Sequence, residues 1–496
     1  MQKNYDILIV GAGHNGLTAA AYLARAGKRV LVLERRAQVG GACVPEAQPK
    51  GALLMGGRLR PDIVRDLGLS RYGYPSETTG KPALISALPD SRRLVLSGDV
   101  LQTAEALGAF SRVDAGRWAE FVHFMDRAAS FLDQAYKTPM PRLPKIPMEE
   151  GLPLAMLGLK LRGMGAQDMY RTIRMLPMTV REFLDEWFES DVLKALIATL
   201  GIHNANLGVM SAGSAYNLLH QYTIRGGWGQ PFLGSAQIPS SLAAAAQANG
   251  VEIRTESVVK TILVKDGKTT GVVLESGEEI SASVVISAVD PKRTLLSMVA
   301  PENLDPELVW KLQNIKMRGI TAKVFIELDG DLALPGTLAI APAMDYLERA
   351  YDAAKYGQIS EHPYLEVTAM GNVLSVHMQY APYFLKGRTW DESTRGQLEK
   401  LVMDSLNPHI PGLQSRAKFQ TSITPMDLEN TYALTEGDLN HGQLMLDQFF
   451  FMRPLPGWSQ HKTPIAGLYL GGSGVHGGGG VSGIAGRNAA RQVLKG

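Results

Sequence analysis

The sequence holds one cysteine, Cys43, in 496 residues. No disulfide can close within the chain and no Cys-x-x-Cys pair can exist, so dithiol redox chemistry is excluded by counting. Charge of one sign is also missing. Lys plus Arg is 50 and Asp plus Glu is 48, a formal net charge of +2. Nothing there suits nucleic acid, which needs a basic stripe. No apolar run reaches the ~18 residues of a membrane span. Ile7–Val10 is too short for the core of a signal peptide and leads straight into a glycine turn, so the cytoplasm is the expected compartment. A Gly-x-Ser-x-Gly elbow is absent, which removes the esterase reading. His, Cys, Asp and Glu nowhere recur at metal-ligand spacing, so no metal is expected.

Glycine is plentiful, 52 in all, and gathers at the two ends. Asp6 to Val10 reads as a buried parallel strand, Leu17 to Ala26 as a helix stopped by Gly27, and Arg29 to Leu33 as a second strand. Between the first strand and the helix lies Gly11-Ala12-Gly13-His14-Asn15-Gly16. Gly11 permits the turn, Gly13 lets backbone approach a pyrophosphate, and Gly16 lets helix and strand pack closely. The helix N-terminus offers free N–H groups to phosphates. Glu34 ends the second strand, where a carboxylate can accept ribose hydroxyls and disfavours a 2′-phosphate. A structural glycine turn is the bland alternative. Strand, helix and acid all stand in the right order, which weighs against it.

The second cluster runs from Gly471 to Gly483 and follows a strand at Gly467 to Leu470. It contains another Gly-x-Gly-x-x-Gly, Gly472 to Gly477. A second dinucleotide unit needs roughly thirty residues and an acid about twenty positions on. No Asp or Glu occurs after Asp447 and the chain stops at residue 496. The segment is therefore read as completing the first site, with a helix from about Val481 to Leu494 whose N-terminus near Gly480-Val481 faces the same cofactor. No dedicated NAD(P)H site is expected.

Two features make the reading specific. Glu34-Arg35-Arg36 followed by Gly40-Gly41-Ala42 resembles the extended N-terminal fingerprint of glutathione-reductase-like flavoproteins. Gly467 to Leu470 through Gly486-Arg487-Asn488-Ala489-Ala490, with Leu446-Asp447-Gln448-Phe449-Phe450, Arg453-Pro454 and Pro456-Gly457 upstream, resembles the phytoene desaturase family, nearest its phytoene-dehydrogenase-like branch. The resemblance implies FAD, and it implies that the strand carrying Val259-x-x-Ile262 touches the adenine. Asp290-Pro291 closes the matching segment. Two departures stand out: Leu233-Gly234-Ser235 replaces a double glycine, and His476-Gly477-Gly478 replaces His-Pro-Gly.

The fold expected is α/β: a Rossmann-like FAD-binding domain in three pieces (1–80, 226–300, 440–496) and a discontinuous α+β substrate domain (81–225, 301–439). Expected FAD contacts are Gly11, Gly13, Asn15, Gly16, Glu34, Arg35, Gly40, Gly41, Ala42, Val259, Gly472, Ser473, Gly480, Val481 and Ser482. Ala104 to Tyr136 and Val180 to Leu200 show helical spacing, Pro139 to Pro153 reads as a loop, and Glu279 to Ser287 as one strand. The apolar, basic-ended Leu154 to Arg162 could dock on a bilayer, although a helix of the substrate-domain cap is preferred. Exposed apolar helices would allow a homodimer.

A lone histidine is usually a satisfied structural residue. His476 is retained as a catalytic candidate because the glycine cluster should place it beside the cofactor. His441 and His203 follow as weaker candidates. Cys43 should pack against the pyrophosphate loop. The expected function is FAD-dependent desaturation or dehydrogenation of a small apolar substrate, with oxygen or a quinone as electron acceptor and hydride moving to the flavin N5. A flavin amine oxidase and a non-catalytic FAD-binding assembly protein are the alternatives.

Overall fold

The computed structural model describes residues 5–45, 49, 52–75, 83–88, 90, 92–141, 148–228 and 236–496, with the backbone alone at 148–150. Leu233-Gly234-Ser235 and residues 142–147 of the expected loop lie outside the described residues.

Five short strands form a parallel sheet in the order β15 (Leu468–Leu470), β9 (Val284–Ser287), β1 (Ile7–Val10), β2 (Val30–Leu33), β5 (Glu252–Arg254). β1 and β2 are buried along their whole length, as expected of a parallel sheet covered on both faces. The sheet draws on all three sequence segments assigned to the FAD domain. β15 aligns Leu468 with Val285 on β9, so the chain end is built into the sheet that the first residues begin. A three-stranded antiparallel sheet, β6 (Val259–Lys265), β7 (Lys268–Leu274) and β8 (Glu279–Ser281), packs beside it. Glu279 to Ser287 is thus two strands in two sheets, with the change at Ala282-Ser283.

A seven-stranded mixed sheet is built from the segments expected to form the substrate domain. Its order is β14 (Ala417–Ile423), β10 (Thr321–Leu328), β13 (Val373–Gln379), β12 (Leu365–Met370), β11 (Gly336–Ile340), β3 (Ala83–Ala87), β4 (Arg93–Leu96). Period-2 alternation gives it two unlike faces. Ala322, Val324, Ile326, Val367, Leu374, Val376 and Met378 face a core closed by Leu398, Val402 and Leu406 of the helix Glu392–Leu406. The other face carries Lys323, Glu366, Thr368, Ser375, His377 and Gln379.

Helices fill the span between Val100 and Arg225. Ala104 to Tyr136 divides at Ser111, whose hydroxyl caps the helix Arg112–Lys137 by accepting from Asp114 N–H. Val180 to Leu200 divides at Ser190, held by the buried Asp114 carboxylate, which accepts from the N–H groups of Glu189 and Ser190. The expected loop at Pro139 to Pro153 ends sooner than its prolines suggest. A helix spans Met148–Arg162 with Pro153 inside it, near enough to the start to cost one backbone hydrogen bond. Leu152, Met156 and Leu159 stand exposed along that helix, each more than 60% accessible. Among the described residues no helix is long and apolar enough to cross a membrane.

Candidate active site

A cavity of about 360 Å³ runs along the carboxyl ends of β1 and β2. That is where open parallel sheets bind ligands. The helix His14–Arg25 starts three residues earlier than the sequence suggests, so His14, Asn15 and Gly16 form its first turn on the cavity wall. Gly13 precedes it without a side-chain cap, and a methyl group there would meet no atom within 4 Å. The open space at Gly13 and the uncapped helix end suit a pyrophosphate. Gly16 is obligatory for another reason: a Cβ there would lie 2.0 Å from the Gly11 carbonyl oxygen.

Glu34 is buried and fixed by two donors. Ala12 N–H donates to Oε2 at 2.8 Å and Arg36 N–H to Oε1 at 3.0 Å. The Arg36 guanidinium donates to the carbonyls of Gly41 and Val44 and lies over the Tyr432 ring. It therefore ties the double-glycine loop to the end of β2. Gly40 N–H donates to the Ala12 carbonyl at 2.9 Å, which closes that loop on the first glycine turn. Val259 lines the same cavity beside Lys260 and Glu275.

The C-terminal segment reaches the site through Asn15. Its Nδ2 donates to Ser473 Oγ at 3.2 Å, and its Oδ1 accepts from Gly486 N–H at 3.4 Å. Arg453, fully buried, donates to the carbonyls of Asn440, Gly442, Gln443, Gln448 and Ser473, locking 440–448 to the glycine cluster.

Of the expected FAD contacts, Gly11, Gly13, Asn15, Gly16, Glu34, Arg35, Gly40, Gly41, Ala42, Val259 and Ser473 line the cavity. Gly480 and Val481 line a separate chamber of about 30 Å³. The last helix begins at Ile484, not Val481, so its N-terminus is not at Gly480. Gly472 and Ser482 line neither space. Gly472 packs on the backbone of Ala288 and Val289. The Ser482 hydroxyl caps Ile484 N–H and its carbonyl accepts from Arg60 N–H.

The three histidines separate. His476 lies outside the cavity. Its Nε2 donates to the carbonyls of Ala135 and Thr138, both at 3.1 Å, at the end of a cap helix, and burial lowers its pKa to about 4. The glycine cluster turns it towards the cap rather than the cleft. His441 lines the cavity, with φ +57° and a pKa lowered by burial. His203 lines the 30 Å³ chamber and a second one of about 40 Å³. Its Nδ1 stands 3.5 Å from Glu366 Oε2 and its ring stacks on His377 at 4.6 Å. Met55 borders the main cavity and both chambers. Cys43 is buried 3.9 Å from His14 Nδ1, and burial pushes its thiol up to about 12.

Sequence reasoning missed the floor of the second chamber. Lys323, Glu366, Thr368, Ser375 and His377 all line it. Lys323 is directly opposite His377, and His377 directly opposite Glu366, across β10, β13 and β12. Burial lowers the Lys323 pKa to about 8. Burial alone would raise the Glu366 carboxyl, but His203, Arg225 and His377 hold it well below the usual range. The signal was visible as polar residues at alternate strand positions, which by themselves read as a solvent face.

A family model described as flavin containing amine oxidoreductase matches residues 16–494. The chain belongs to this family. The chain is 32% identical to pyridine nucleotide-disulfide oxidoreductase domain-containing protein 2 of Rattus norvegicus, over 100% of this chain and 94% of the relative. A limonene dehydrogenase chain of Castellaniella defragrans is 25% identical over 99% of this chain and 95% of its own length. A putrescine oxidase variant with redesigned cofactor binding superposes with a TM-score of 0.62 at 15% identity, covering 99% of both chains, which shows the fold. The likeness to the phytoene desaturase branch stands with these relatives. The protein is an FAD-dependent oxidoreductase. A purely assembly role falls with that. The lone buried thiol also rules out for this chain the disulfide chemistry in its rat relative's name.

Proposed function

We propose that the enzyme is a dehydrogenase that desaturates a carbon–carbon bond in a largely apolar substrate. The observation that carries this reading is the charge of the chambers that open beside Met55. Lys323, Arg58 and Arg225 line them against a single carboxylate, Glu366. A protonated amine would enter against that charge, since two like charges at ~4 Å repel by about 4 kcal/mol near a protein surface. Among their described lining residues there is no Phe, Tyr or Trp to form a cage over an amine. Leu53, Leu54, Met55, Ile224, Leu439 and Val481 supply apolar walls instead.

Gly13, Asn15, Glu34 and the Gly40-Gly41 loop would hold the nucleotide half of FAD. Bound FAD supplies a two-electron acceptor for hydride. The protein's share is to orient the reacting C–H bond, exclude water and keep the substrate's polar end on the β10–β13–β12 floor. Oxygen or a quinone would take the electrons onward.

Anaerobic incubation of the holoenzyme with terpenoids, polyenes and cyclic enones tests this. At least one should bleach the flavin absorbance, while putrescine and cyclohexylamine leave it unchanged. Bleaching by the amines alone, with peroxide released in air, would overturn the proposal in favour of an amine oxidase.

A further inference from the structure

The chamber floor contains more than desaturation of a plain hydrocarbon requires. Lys323 projects from β10 into the 40 Å³ chamber, and among the described residues its ammonium makes no hydrogen bond and no ion pair. A half-buried cation without a partner carries a desolvation cost and invites an oxygen ligand. His203 leaves the end of the helix Asp191–Ile202 and lines the same chamber. Its Nδ1 is sealed among protein atoms 3.5 Å from Glu366 Oε2, which leaves Nε2 as the nitrogen open to the chamber. Glu366 is itself held by the Tyr364 hydroxyl. Nδ1 makes no hydrogen bond across that 3.5 Å gap, but an imidazole with a carboxylate behind it and its other nitrogen facing the chamber is placed to serve as a general base, whose hydrogen bonds tighten when substrate binds.

We propose that this floor recognises a carbonyl group and that the enzyme carries out α,β-desaturation of a carbonyl compound, with Lys323 holding the oxygen and His203 taking the α-proton. The inference rests on the dehydrogenase reading above and narrows its substrate class. Imidazole cannot deprotonate an unactivated hydrocarbon. It can remove a proton α to a carbonyl whose developing negative charge is met by a fixed cation. The α C–H bond breaks and its proton passes to His203 Nε2. Its electron pair becomes the new C=C bond. The β C–H bond breaks with its electrons, which leave as hydride to FAD, the oxidant. Lys323 keeps its proton throughout, and the product is an α,β-unsaturated carbonyl.

Two features of the site agree with this. Burial lowers the pKa of His203, against the pull of Glu366, so the ring can accept a proton near pH 7. Lys323 lines this chamber, and Arg58 and Arg225 line the adjoining one, against the single carboxylate Glu366, so the two chambers together favour negative charge on a ligand.

Proton exchange tests the inference without requiring net oxidation. Holoenzyme is incubated anaerobically with cyclohexanone in D2O, and loss of the α-proton signal is followed by NMR. The wild type should catalyse exchange. His203→Asn should slow it at least about hundredfold and Glu366→Gln about tenfold, with flavin content unchanged. 4-Chlorophenol, a mimic of the enolate, should bind as the phenolate and add a long-wavelength band to the flavin spectrum, and Lys323→Met should abolish that band. If His203→Asn fails to retain flavin, Glu366→Gln and the phenol titration decide. No exchange by the wild type, or equal exchange and equal phenol binding in the variants, overturns the inference. Flavin bleaching by a terpenoid without ketone exchange overturns it and leaves the dehydrogenase reading standing. Exchange without bleaching by any compound overturns the desaturation and the broader dehydrogenase reading together, and leaves only a carbonyl-binding floor with a base.

Discussion

Lys323 sits on a strand where its neighbours across the sheet are a histidine and, one strand further, a glutamate. Its pKa falls from 10.5 to about 8 because burial penalises the ammonium. Between those two pH values the unfolded chain binds more protons than the folded one, so stability rises with pH across that window. Below about pH 8 the full cost is present. The shift corresponds to about 3 kcal/mol, but the side chain is only partly enclosed, and a realised cost of about 1–2 kcal/mol is expected. Lys323→Met should therefore raise the urea midpoint at pH 7 and flatten its rise between pH 8 and 10. A variant less stable than wild type at pH 7 would show that Lys323 is satisfied by the fold. Glu34 gives a second prediction at this scale. Both its oxygens already accept backbone N–H groups. In Glu34→Gln an amide NH2 would have to face one of those donors. FAD affinity should fall about 10- to 100-fold, read from flavin retained on gel filtration. Retention equal to wild type would remove Glu34 from the nucleotide site. Glu34 was legible in the sequence because strand, turn, helix and acid are all local. Lys323 was not. The 53–56 segment, the end of the helix Asp191–Ile202 and Leu439, all remote in sequence, turn its face of the sheet into a covered floor. Leu53 N–H donating to Ser375 Oγ shows one such contact.

Elements were legible where one apolar period ran to a clear stop, and less so where a polar contact cut a continuous pattern. β1, β2 and β15 fall within a residue of expectation at each end. The apolar spacing of Ala104 to Tyr136 does not reveal that Ser111 caps a new helix, because apolar residues recur on both sides of the break. The strands β3, β4, β11, β12 and β14 went unread, although β3 pairs with β4 and β12 with β13 across short connections. The double-glycine loop is the element whose physics can be tested most simply. Gly40 has φ +124°, and a Cβ there would lie 2.5 Å from Val44 Cγ2 and 3.0 Å from Pro239 Cγ. Gly40→Ala therefore combines left-handed strain with a clash on both sides. It should yield folded protein, by circular dichroism, that elutes largely without flavin. Gly68→Ala is the control: φ is +63°, but nothing lies within 4 Å, so only the backbone cost of about 1 kcal/mol applies and flavin stays bound. Equal flavin content in the two variants would mean that the loop does not shape the site.

At the scale of the molecule, the last helix and the 60–62 segment are joined to the helix Arg112–Lys137 by a half-buried ionic network. Arg487, 1% exposed on the last helix, donates to Asp62 Oδ2 at 2.7 Å. Lys137, at the end of the cap helix Arg112–Lys137, reaches Asp62 at 3.1 Å and Asp133 at 2.7 Å. Arg60 reaches Asp133 at 2.7 Å and donates to the Thr223 carbonyl at 3.0 Å. Burial by itself would raise the Asp62 pKa, but Arg487 and Lys137 more than offset it and the net shift is downward. The stability it contributes is thus present above the unfolded pKa near 3.8 and is lost as pH falls through the lower folded value. Arg487→Met removes one cation and leaves Asp62 with Lys137 alone. Breaking a fully buried pair on one side costs about 3–5 kcal/mol, but Asp62 is partly exposed and keeps Lys137, so a loss of about 1–2 kcal/mol is expected. Arg487→Met with Asp62→Leu should recover part of that loss, giving a coupling of about 1–3 kcal/mol in a double-mutant cycle. Because the network bridges two domains, its loss should also change the form of unfolding. In the wild type, flavin release and loss of helical signal should coincide in a urea titration. In Arg487→Met, helical signal from the cap should begin to fall before flavin is released. A single coincident transition in the variant, with its midpoint unmoved, would show that the interface is held by apolar packing and that the ionic network adds little to it.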